Sequence, residues 1–237
     1  MEKSKITSFL TANSYPGRGI AIGITPDGKK VSIAYFIMGR STNSRNRVFI
    51  AEHDDLRTKA FDPSKLSDPS LIIYHPVRVT NGTTIVTNGS QTDKIASYLQ
   101  QGLSFEAALN TETFEPDGPN FTPRISGIVS FMDGNTSYKL SILKTIGGDD
   151  ATCARNFFDY DIPSAGTGHF IHTYQCDGEP LPSFEGEPKA FQTENDIDTF
   201  ANSVWDSLNA ENKVSLFVRH ISIFDGSFET RIINIHE

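Results

Sequence analysis

The sequence predicts an α+β fold, in which helices pack on the faces of antiparallel sheets. Apolar runs rich in β-branched residues recur along the chain, and several are joined by Asp-Gly or Asn-Gly dipeptides, which favour tight hairpin turns. Two other segments change to the apolar spacing of amphipathic helices. No segment of the 237 residues resembles a flexible interdomain linker, so we expect one domain.

The first strands follow from hairpin signals. Residues 18–25 and 30–39 are apolar runs on either side of Asp27-Gly28, which predicts a hairpin. Further strands are expected at 47–52, 70–79 and 83–87, with a turn at Asn81-Gly82.

Two capped segments predict the longer helices. Ser90 and Asp93 form a capping box before a helix over 91–101 that ends near Gly102, and a short helix is expected at 104–110. Thr193 and Asp196 form a second capping box, and the apolar spacing that follows predicts a helix through residue 209.

The remaining elements are strands. They are expected at 124–132 and 136–146 around Asp133-Gly134, at 153–160 and 167–175, and at 213–224 and 228–235 around Asp225-Gly226.

Composition limits the classes of function. A formal net charge of −8 argues against nucleic acid as a partner, because phosphate backbones bind basic surfaces. No run approaches the ~20 apolar residues that span a bilayer, and the N-terminus lacks the apolar segment of a signal peptide, so we expect a cytoplasmic protein. Cys153 and Cys176 form neither a disulfide framework nor a CxxC motif.

The segment EPDGPNFTPRISG, residues 115–127, combines a stiff backbone with polar side chains. Its three prolines fix φ, so little conformational entropy is left to lose when a ligand binds. The polar side chains are those of Glu115, Asp117, Asn120, Thr122 and Arg124. This composition suits a small polar ligand, and an ordinary proline-rich connection with solvated charges is the alternative.

A second polar segment is MGRSTNSRNRVF, residues 38–49, in which Arg40, Arg45 and Arg47 are interleaved with short hydroxyl and amide side chains. A guanidinium pairs with two phosphate oxygens at once, and short polar groups can fill the remaining oxygens. The segment therefore predicts a phosphate-binding loop, with a solvated basic loop as the alternative.

Two further segments add polar groups. YHPVR places Tyr74 and Arg78 at the end of the predicted strand over 70–79. TNGSQTD places Asn88 and Gly89 at a helix N-terminus, where free N–H groups favour anions.

Two other motifs are less specific. GRGIAIG is one residue longer than the dinucleotide fingerprint and precedes a strand, which leaves Arg18 as its one residue able to reach a ligand. His169 and His172 have a metal-like spacing, but positions three apart on a strand face opposite sides. We therefore expect no metal, and His169 is either a pocket residue or a packed or surface histidine.

In chain order, GRGIAIG, MGRSTNSRNR, YHPVR, TNGSQTD and EPDGPNFTPRISG together resemble the archaeal-type IMP cyclohydrolase family and its bacterial relatives. The resemblance is strongest at NGSQTD and NFTPRISG, while residues 150–237 match mainly in length and element pattern. It marks residues 1–15 as an N-terminal extension and 16–237 as a single IMP cyclohydrolase-like domain.

The resemblance implies an αββα sandwich of antiparallel sheets, similar to N-terminal nucleophile hydrolases. It also implies closure of 5-formamidoimidazole-4-carboxamide ribonucleotide to inosine 5′-monophosphate (IMP) with loss of water, in purine biosynthesis and without a cofactor. Glu2 follows Met1 and could not serve as an N-terminal nucleophile, so the fold would be shared without the hydrolase chemistry.

The resemblance also implies an arginine, a tyrosine and an acidic residue in the active site. We assign these roles to Arg40, Tyr74 and either Glu115 or Asp117, with Arg47 as the alternative to Arg40. The expected substrate-binding residues are Arg18, Arg45, Arg47, Arg78, Asn88, Gly89, Asn120, Thr122, Arg124 and His169.

The expected ligand is a small-molecule nucleotide, with neither nucleic acid nor membrane as a partner, and formation of a homo-oligomer is left open. Two other functions remain open at this point. One is an amide or nucleotide hydrolase on the same scaffold, and the other is a nucleotide-binding module without catalysis.

Overall fold

The computed structural model describes residues 4–66, 69–132 and 135–236. The predicted turn at Asp133-Gly134 and the residue Glu2 lie outside these ranges. None of the helices within the ranges is long and apolar enough to cross a membrane.

One of the two sheets is built from both halves of the chain. Its strands are β1 (Arg18–Ile24), β2 (Lys30–Met38), β10 (Thr167–His172), β11 (Lys189–Gln192), β12 (Lys213–Ser222) and β13 (Phe228–Asn234). They lie in the order β11-β10-β1-β2-β12-β13, and each ladder is antiparallel. We call this the first sheet.

The second sheet follows chain order and is also antiparallel. Its strands are β3 (Arg47–Glu52), β4 (Asp55–Ala60), β5 (Val77–Thr80), β6 (Thr83–Thr87), β7 (Arg124–Met132), β8 (Asn135–Ile146) and β9 (Asp149–Tyr160). The helices are α1 (Ile6–Ala12), α2 (Thr42–Arg45), α3 (Gln91–Gln100), α4 (Phe105–Leu109) and α5 (Ile197–Ser207). The predicted α+β class of antiparallel sheets with helices is confirmed.

The core lies mainly between the sheets. Ile20 and Ile33 of the first sheet and Val129 and Leu140 of the second belong to one buried apolar cluster. Burying each such side chain contributes about 1.5–3 kcal/mol. This cluster brings the inward-facing residues of the two sheets into contact.

Helices cover the opposite faces. Phe200 of α5 and Leu10 of α1 pack with Phe36 of the first sheet. Ile95 of α3 and Ala108 of α4 pack with residues of the second sheet. Residues 4–15 therefore contribute to the core, although the sequence marks residues 1–15 as an extension.

The helix caps differ from the prediction. The Ser90 side chain makes no capping hydrogen bond at the start of α3. At α5 the cap is Asp196, which accepts a hydrogen bond from the Thr199 N–H at 2.7 Å, while Thr193 donates its hydroxyl to the Ile24 carbonyl. Thr193 is thus used to join the chain to β1.

Several strand boundaries also differ. The predicted strand over 70–79 is replaced by an irregular segment and the short strand β5, so Tyr74 does not lie in a strand. Strand β4 was not predicted because its inward positions include Thr58 and Ala60, which give little apolar alternation. The short elements α1, α2 and β11 were not predicted either.

Candidate active site

Buried polar side chains lie between the sheets, at the end where β1 and β3 begin. Arg18 is the first residue of β1 and shares its face with Ile20, because side chains alternate along a strand. By the same alternation, Arg47 shares the inner face of β3 with Phe49. The exposed fractions of Arg18 and Arg47 are 8% and 0%. The folding of two strands therefore brings two guanidinium groups into the interior.

Tyr74 is fixed at both its backbone and its hydroxyl group. Its N–H donates to the Thr58 hydroxyl at 2.8 Å, and its carbonyl accepts from the Thr58 N–H at 3.0 Å. Its hydroxyl lies 2.7 Å from the hydroxyl of Tyr35 on β2. Burial raises the pKa of Tyr74, while Arg47 and Arg18 oppose that rise. A phenol with a fixed position is thus placed beside two cations.

Glu115 supplies a buried carboxyl group to the same region. It is 1% exposed, and within the described part of the chain its Oε1 atom has no hydrogen-bond partner. Burial raises its pKa to about 7, against the opposing influence of Arg18 and Arg124 and a smaller one from Arg47. A carboxyl group with a pKa near neutrality can both take and return a proton under physiological conditions.

We define the buried polar cluster as Arg18, Arg47, Tyr35, Tyr74, Glu115 and Arg124. Several of its guanidinium nitrogens have no partner among the described residues: Nε of Arg18, Nη1 and Nη2 of Arg47, and Nε of Arg124. Burial lowers the pKa of Arg47. For Arg18, burial also lowers the pKa, but Glu115 and Tyr174 outweigh it and the net direction is upward. Unpaired buried cations are costly, so these nitrogens favour an anionic or strongly polar ligand.

Asp117 organises the loop that carries Glu115. Its Oδ1 accepts from the Thr122 N–H at 2.6 Å, and its Oδ2 accepts from the Thr122 hydroxyl, which also contacts the Tyr174 hydroxyl. The Glu115 N–H donates to the Thr122 carbonyl at 2.9 Å, which closes the loop. Asp117 is thus occupied by local hydrogen bonds, whereas Glu115 retains an oxygen without a partner.

Asn88 joins the α3 end of the site to the same loop. Its amide donates to the Pro123 carbonyl at 2.9 Å and its oxygen accepts from the Ile125 N–H at 2.8 Å. Both ends of the buried Asn88 amide are therefore used within the protein, which indicates a structural contribution to the site.

Arg124 lies across the start of α3. Its Nη1 donates to Gln91 Oε1 at 2.7 Å and lies 3.4 Å from the Ser90 hydroxyl. A Cβ atom at Gly89 would come within 2.9 Å of the same Nη1 and 3.3 Å of Glu115 Oε1. Because glycine has no Cβ atom, position 89 leaves room for the side chains of Arg124 and Glu115.

Two arginines of the predicted phosphate loop lie outside the cluster. Arg40 donates to Asp177 at 2.8 Å, and its guanidinium carbon is 5.1 Å from the centre of the Tyr15 ring. Tyr15 stacks on Tyr174 at a centroid distance of 5.9 Å, so Arg40 lies at the outer rim of the site. Arg45 donates instead to the Glu211 carbonyl.

Three other predicted binding residues also make contacts elsewhere. Arg78 binds Asp93 and Asp55 in a partly exposed ion-pair network. His169 lies 2.6 Å from the Tyr138 hydroxyl and stacks on Tyr160. The Asn120 oxygen accepts from the Leu181 N–H at 3.0 Å. The structure does not bring these side chains to the buried polar cluster, and their substrate-binding roles stay predictions.

Four residues of the site region were not predicted from the sequence: Tyr35, Gln91, Tyr15 and Tyr174. The strand KVSIAYFIM gave one usable signal, because Tyr35 is the single phenol in an otherwise mostly aliphatic inward-facing row. A buried tyrosine hydroxyl requires a hydrogen-bond partner, which predicts a polar neighbour. Which residue provides that partner depends on the packing of the two sheets.

Comparison with known proteins gives a consistent assignment. A family model described as "IMP cyclohydrolase-like protein" matches residues 15–226. The chain is 29% identical over 195 residues to an IMP cyclohydrolase of Methanopyrus kandleri, which covers 72% of this chain and 89% of the relative. It is 28% identical over 170 residues to an IMP cyclohydrolase of Methanococcus aeolicus, which covers 68% and 75%. A third IMP cyclohydrolase, from Methanosphaera stadtmanae, is 32% identical over 125 residues, which covers 49% and 58%. The chain therefore belongs to the IMP cyclohydrolase-like family.

Proposed function

We propose that this protein is an IMP cyclohydrolase, which closes 5-formamidoimidazole-4-carboxamide ribonucleotide to IMP with loss of water. The observation that carries the proposal is the buried Glu115 carboxyl group, whose pKa is raised to about 7 among three arginines. This arrangement occurs in a chain whose family match spans residues 15–226. The relatives with the same name support the activity.

The reaction joins two groups that already belong to one molecule. The carboxamide nitrogen attacks the formyl carbon, a C–N bond forms, and the electrons of the carbonyl double bond move to its oxygen. The adduct then loses that oxygen as water, while the formamido nitrogen loses a proton. Overall, two protons leave nitrogen and two are gained by the departing oxygen. The site must therefore position the reacting groups, stabilise negative charge on oxygen and supply both a base and an acid.

Glu115 is the proposed base. Its pKa near 7 lets the carboxylate accept a proton from the carboxamide nitrogen and later from the formamido nitrogen. Asp117 is the weaker candidate, because its oxygens already accept hydrogen bonds from Thr122. Of the two acids named by the sequence analysis, the geometry therefore favours Glu115.

Tyr74 is the proposed acid. Its hydroxyl proton passes first to the developing oxyanion and, in the second step, to the departing hydroxyl group. Each time, Glu115 passes the proton that it took from nitrogen to the Tyr74 phenolate, so both groups return to their starting protonation states. Burial keeps Tyr74 protonated at neutral pH, since its pKa is raised from the ordinary value.

The arginines bind the charged parts of the ligand. Arg47 has two terminal nitrogens without partners among the described residues, which suits an oxyanion or phosphate oxygen. Arg40 is the weaker candidate for the oxyanion, because it is exposed at the rim and paired with Asp177. Arg18 and Arg124 add positive charge beside Glu115. No proton transfer in this scheme calls on a cofactor.

The finer fold assignment is also part of the proposal. Two sheets packed on each other, with α1 and α5 on one side and α3 and α4 on the other, support an αββα sandwich similar to N-terminal nucleophile hydrolases. Strands from both ends of the chain share the first sheet, which supports a single domain over 16–237. A cytoplasmic location stays a prediction, and the formation of a homo-oligomer stays open.

The test is turnover of the named substrate by the purified full chain, followed by ultraviolet absorbance, with IMP identified as the product. Glu115→Gln should lower kcat by about a hundredfold or more, because a general base contributes 10²–10⁴-fold. Glu106→Gln is the matched control, since Glu106 is ion-paired with Lys139 at 2.8 Å on α4, away from the cluster.

The outcomes separate the alternatives. No turnover and no nucleotide binding by the wild-type protein would reject the proposal. Nucleotide binding without turnover would favour a binding module, and water addition to amides in place of ring closure would favour a hydrolase. An equal loss of kcat in both glutamine variants would remove Glu115 from its role as base.

A further inference from the structure

We infer that Tyr35 is a positioning residue for Tyr74, and that its phenol donates a hydrogen bond to the Tyr74 oxygen and holds that oxygen in place while Tyr74 gives up its proton. The inference rests on the proposed function, in which Tyr74 is the acid. Tyr35 acts through Tyr74, because the Tyr74 hydroxyl is the one hydrogen-bond partner of the Tyr35 hydroxyl among the described residues.

The geometry fixes the pair of hydroxyl groups inside the protein. The two oxygens are 2.7 Å apart, and the exposed fractions of Tyr35 and Tyr74 are 0% and 6%. The Tyr35 ring stacks on Phe49 at a centroid distance of 5.6 Å within the core between the sheets. Among the described residues, the Tyr35 hydroxyl meets the Tyr74 hydroxyl alone. Tyr35 is thus rigid and has one polar contact to make.

The role of Tyr74 in the proposed reaction determines which hydroxyl donates. After burial, which raises the pKa of both tyrosines, their shared hydrogen bond raises the pKa of Tyr35 and lowers that of Tyr74. Arg18 and Arg47 favour the ionised form of both tyrosines. In that reaction Tyr74 gives its proton to the substrate oxygen, so the Tyr35 hydroxyl, whose one partner among the described residues is the Tyr74 hydroxyl, donates the shared hydrogen bond.

The proposed reaction depends on this direction of the hydrogen bond, from Tyr35 to Tyr74. When the Tyr74 proton moves to the substrate oxygen, negative charge remains on the Tyr74 oxygen until a proton released from nitrogen returns. A hydrogen bond becomes stronger when its acceptor is charged. Tyr35 therefore stabilises Tyr74 most when its proton has left, which lowers the barrier without a contact to the substrate.

Kinetics of three variants test the inference: Tyr35→Phe, Tyr74→Phe and the double variant. Tyr35→Phe should lower kcat by about tenfold or more with little change in KM, because the lost hydrogen bond is to a group charged only during the reaction. The double variant should have the kcat of Tyr74→Phe alone, since Tyr35 acts through Tyr74. Tyr98→Phe is the control, because it removes the hydroxyl of a tyrosine that packs in the cluster of α3 and α4 and does not belong to the buried polar cluster.

Two kinetic results would overturn the inference. One is an unchanged kcat in Tyr35→Phe, and the other is a double variant whose loss of kcat is the product of the two single losses. Thermal unfolding of each variant shows whether a loss of rate comes from a loss of folded protein.

A titration that needs no turnover separates this inference from the proposed function. A fluorinated tyrosine that ionises near neutral pH is placed at position 74, and its fluorine resonance is followed with Tyr35 or with Tyr35→Phe. Loss of the donor should raise the midpoint by about one to two pH units. An unchanged midpoint would overturn the inference even if the wild-type protein is an active cyclohydrolase. A raised midpoint would support the hydrogen bond even if wild-type turnover fails.

Discussion

Glu115→Gln should change how stability depends on pH, and the sign follows from the direction of the pKa shift. In the folded protein, burial raises the pKa of Glu115 from its ordinary value of 4.5 to about 7. The folded state therefore binds this proton more tightly than the unfolded state does. The stabilisation is fully present below pH 4.5 and is lost as pH rises through about 7.

The magnitude comes from the same two values. One pKa unit corresponds to about 1.4 kcal/mol, so the difference between 4.5 and about 7 corresponds to about 3 kcal/mol. Glu115 is 1% exposed, so solvent screening does not reduce this figure appreciably. A glutamine side chain does not titrate. As pH rises from 4.5 to 8, the free energy of unfolding of the variant should therefore increase by about 3 kcal/mol relative to that of wild type.

Denaturant unfolding of both proteins at several pH values between 4.5 and 8 measures this difference. Other titrating groups, including the buried histidines, contribute to both proteins and cancel in the comparison. Glu106→Gln should instead show a nearly constant difference from wild type over this range, because Lys139 outweighs the burial of Glu106 and the lowered pKa confines its titration to pH 4.5 and below. A difference between wild type and Glu115→Gln that stays constant across this range would refute the raised pKa and, with it, the basis for Glu115 as base.

Three further predictions concern other buried groups. Arg47→Met should raise the free energy of unfolding in denaturant by about 1–2 kcal/mol, because two buried nitrogens without partners among the described residues are removed. The same variant should lower kcat/KM by at least about a hundredfold. A variant no more stable than wild type would contradict the first expectation. Gly89→Ala should displace the Gln91 and Arg124 side chains, since the new Cβ would lie 2.7 Å from Gln91 Oε1 and 2.9 Å from Arg124 Nη1, and should raise KM by about tenfold; an unchanged KM would contradict this. Burial lowers the pKa of His220 to about 4, so the stability that neutral His220 contributes is lost as pH falls from 6.5 to about 4. The free energy of unfolding should therefore fall by about 2 kcal/mol less in His220→Leu than in wild type between pH 7 and pH 4.5.

Local signals in the sequence predicted the elements that depend on local physics. The hairpins β1–β2 and β12–β13 form on either side of Asp-Gly dipeptides, where a tight turn fixes the pairing of adjacent runs. Helices α3 and α5 also form close to the predicted positions, because their apolar faces recur at helical spacing. The predicted capping role of Thr193 was wrong, because its hydroxyl donates to the Ile24 carbonyl of β1.

Long-range pairing could not be predicted in the same way. Strand β12 lies beside β2, and β10 lies beside β1, although about 140 or more residues separate each pair along the chain. Such contacts depend on which apolar faces meet, and many different strand orders are compatible with the same local pattern of apolar residues. The irregular segment around Tyr74 illustrates this, because Ile72 and Tyr74 are buried without lying in a strand.

The sequence by itself determined the chemical groups available to the site and its family resemblance. The segment 115–127 supplied the acidic and basic side chains, and the strand starts supplied Arg18 and Arg47. Only the tertiary structure decided which of these groups meet. It directed Glu115 into the interior and left Asp117 bonded to its own loop. It also placed Tyr35 against Tyr74. The physical reason is that a side chain's pKa and its free hydrogen-bonding capacity depend on burial and on neighbours distant in sequence, which no local pattern specifies.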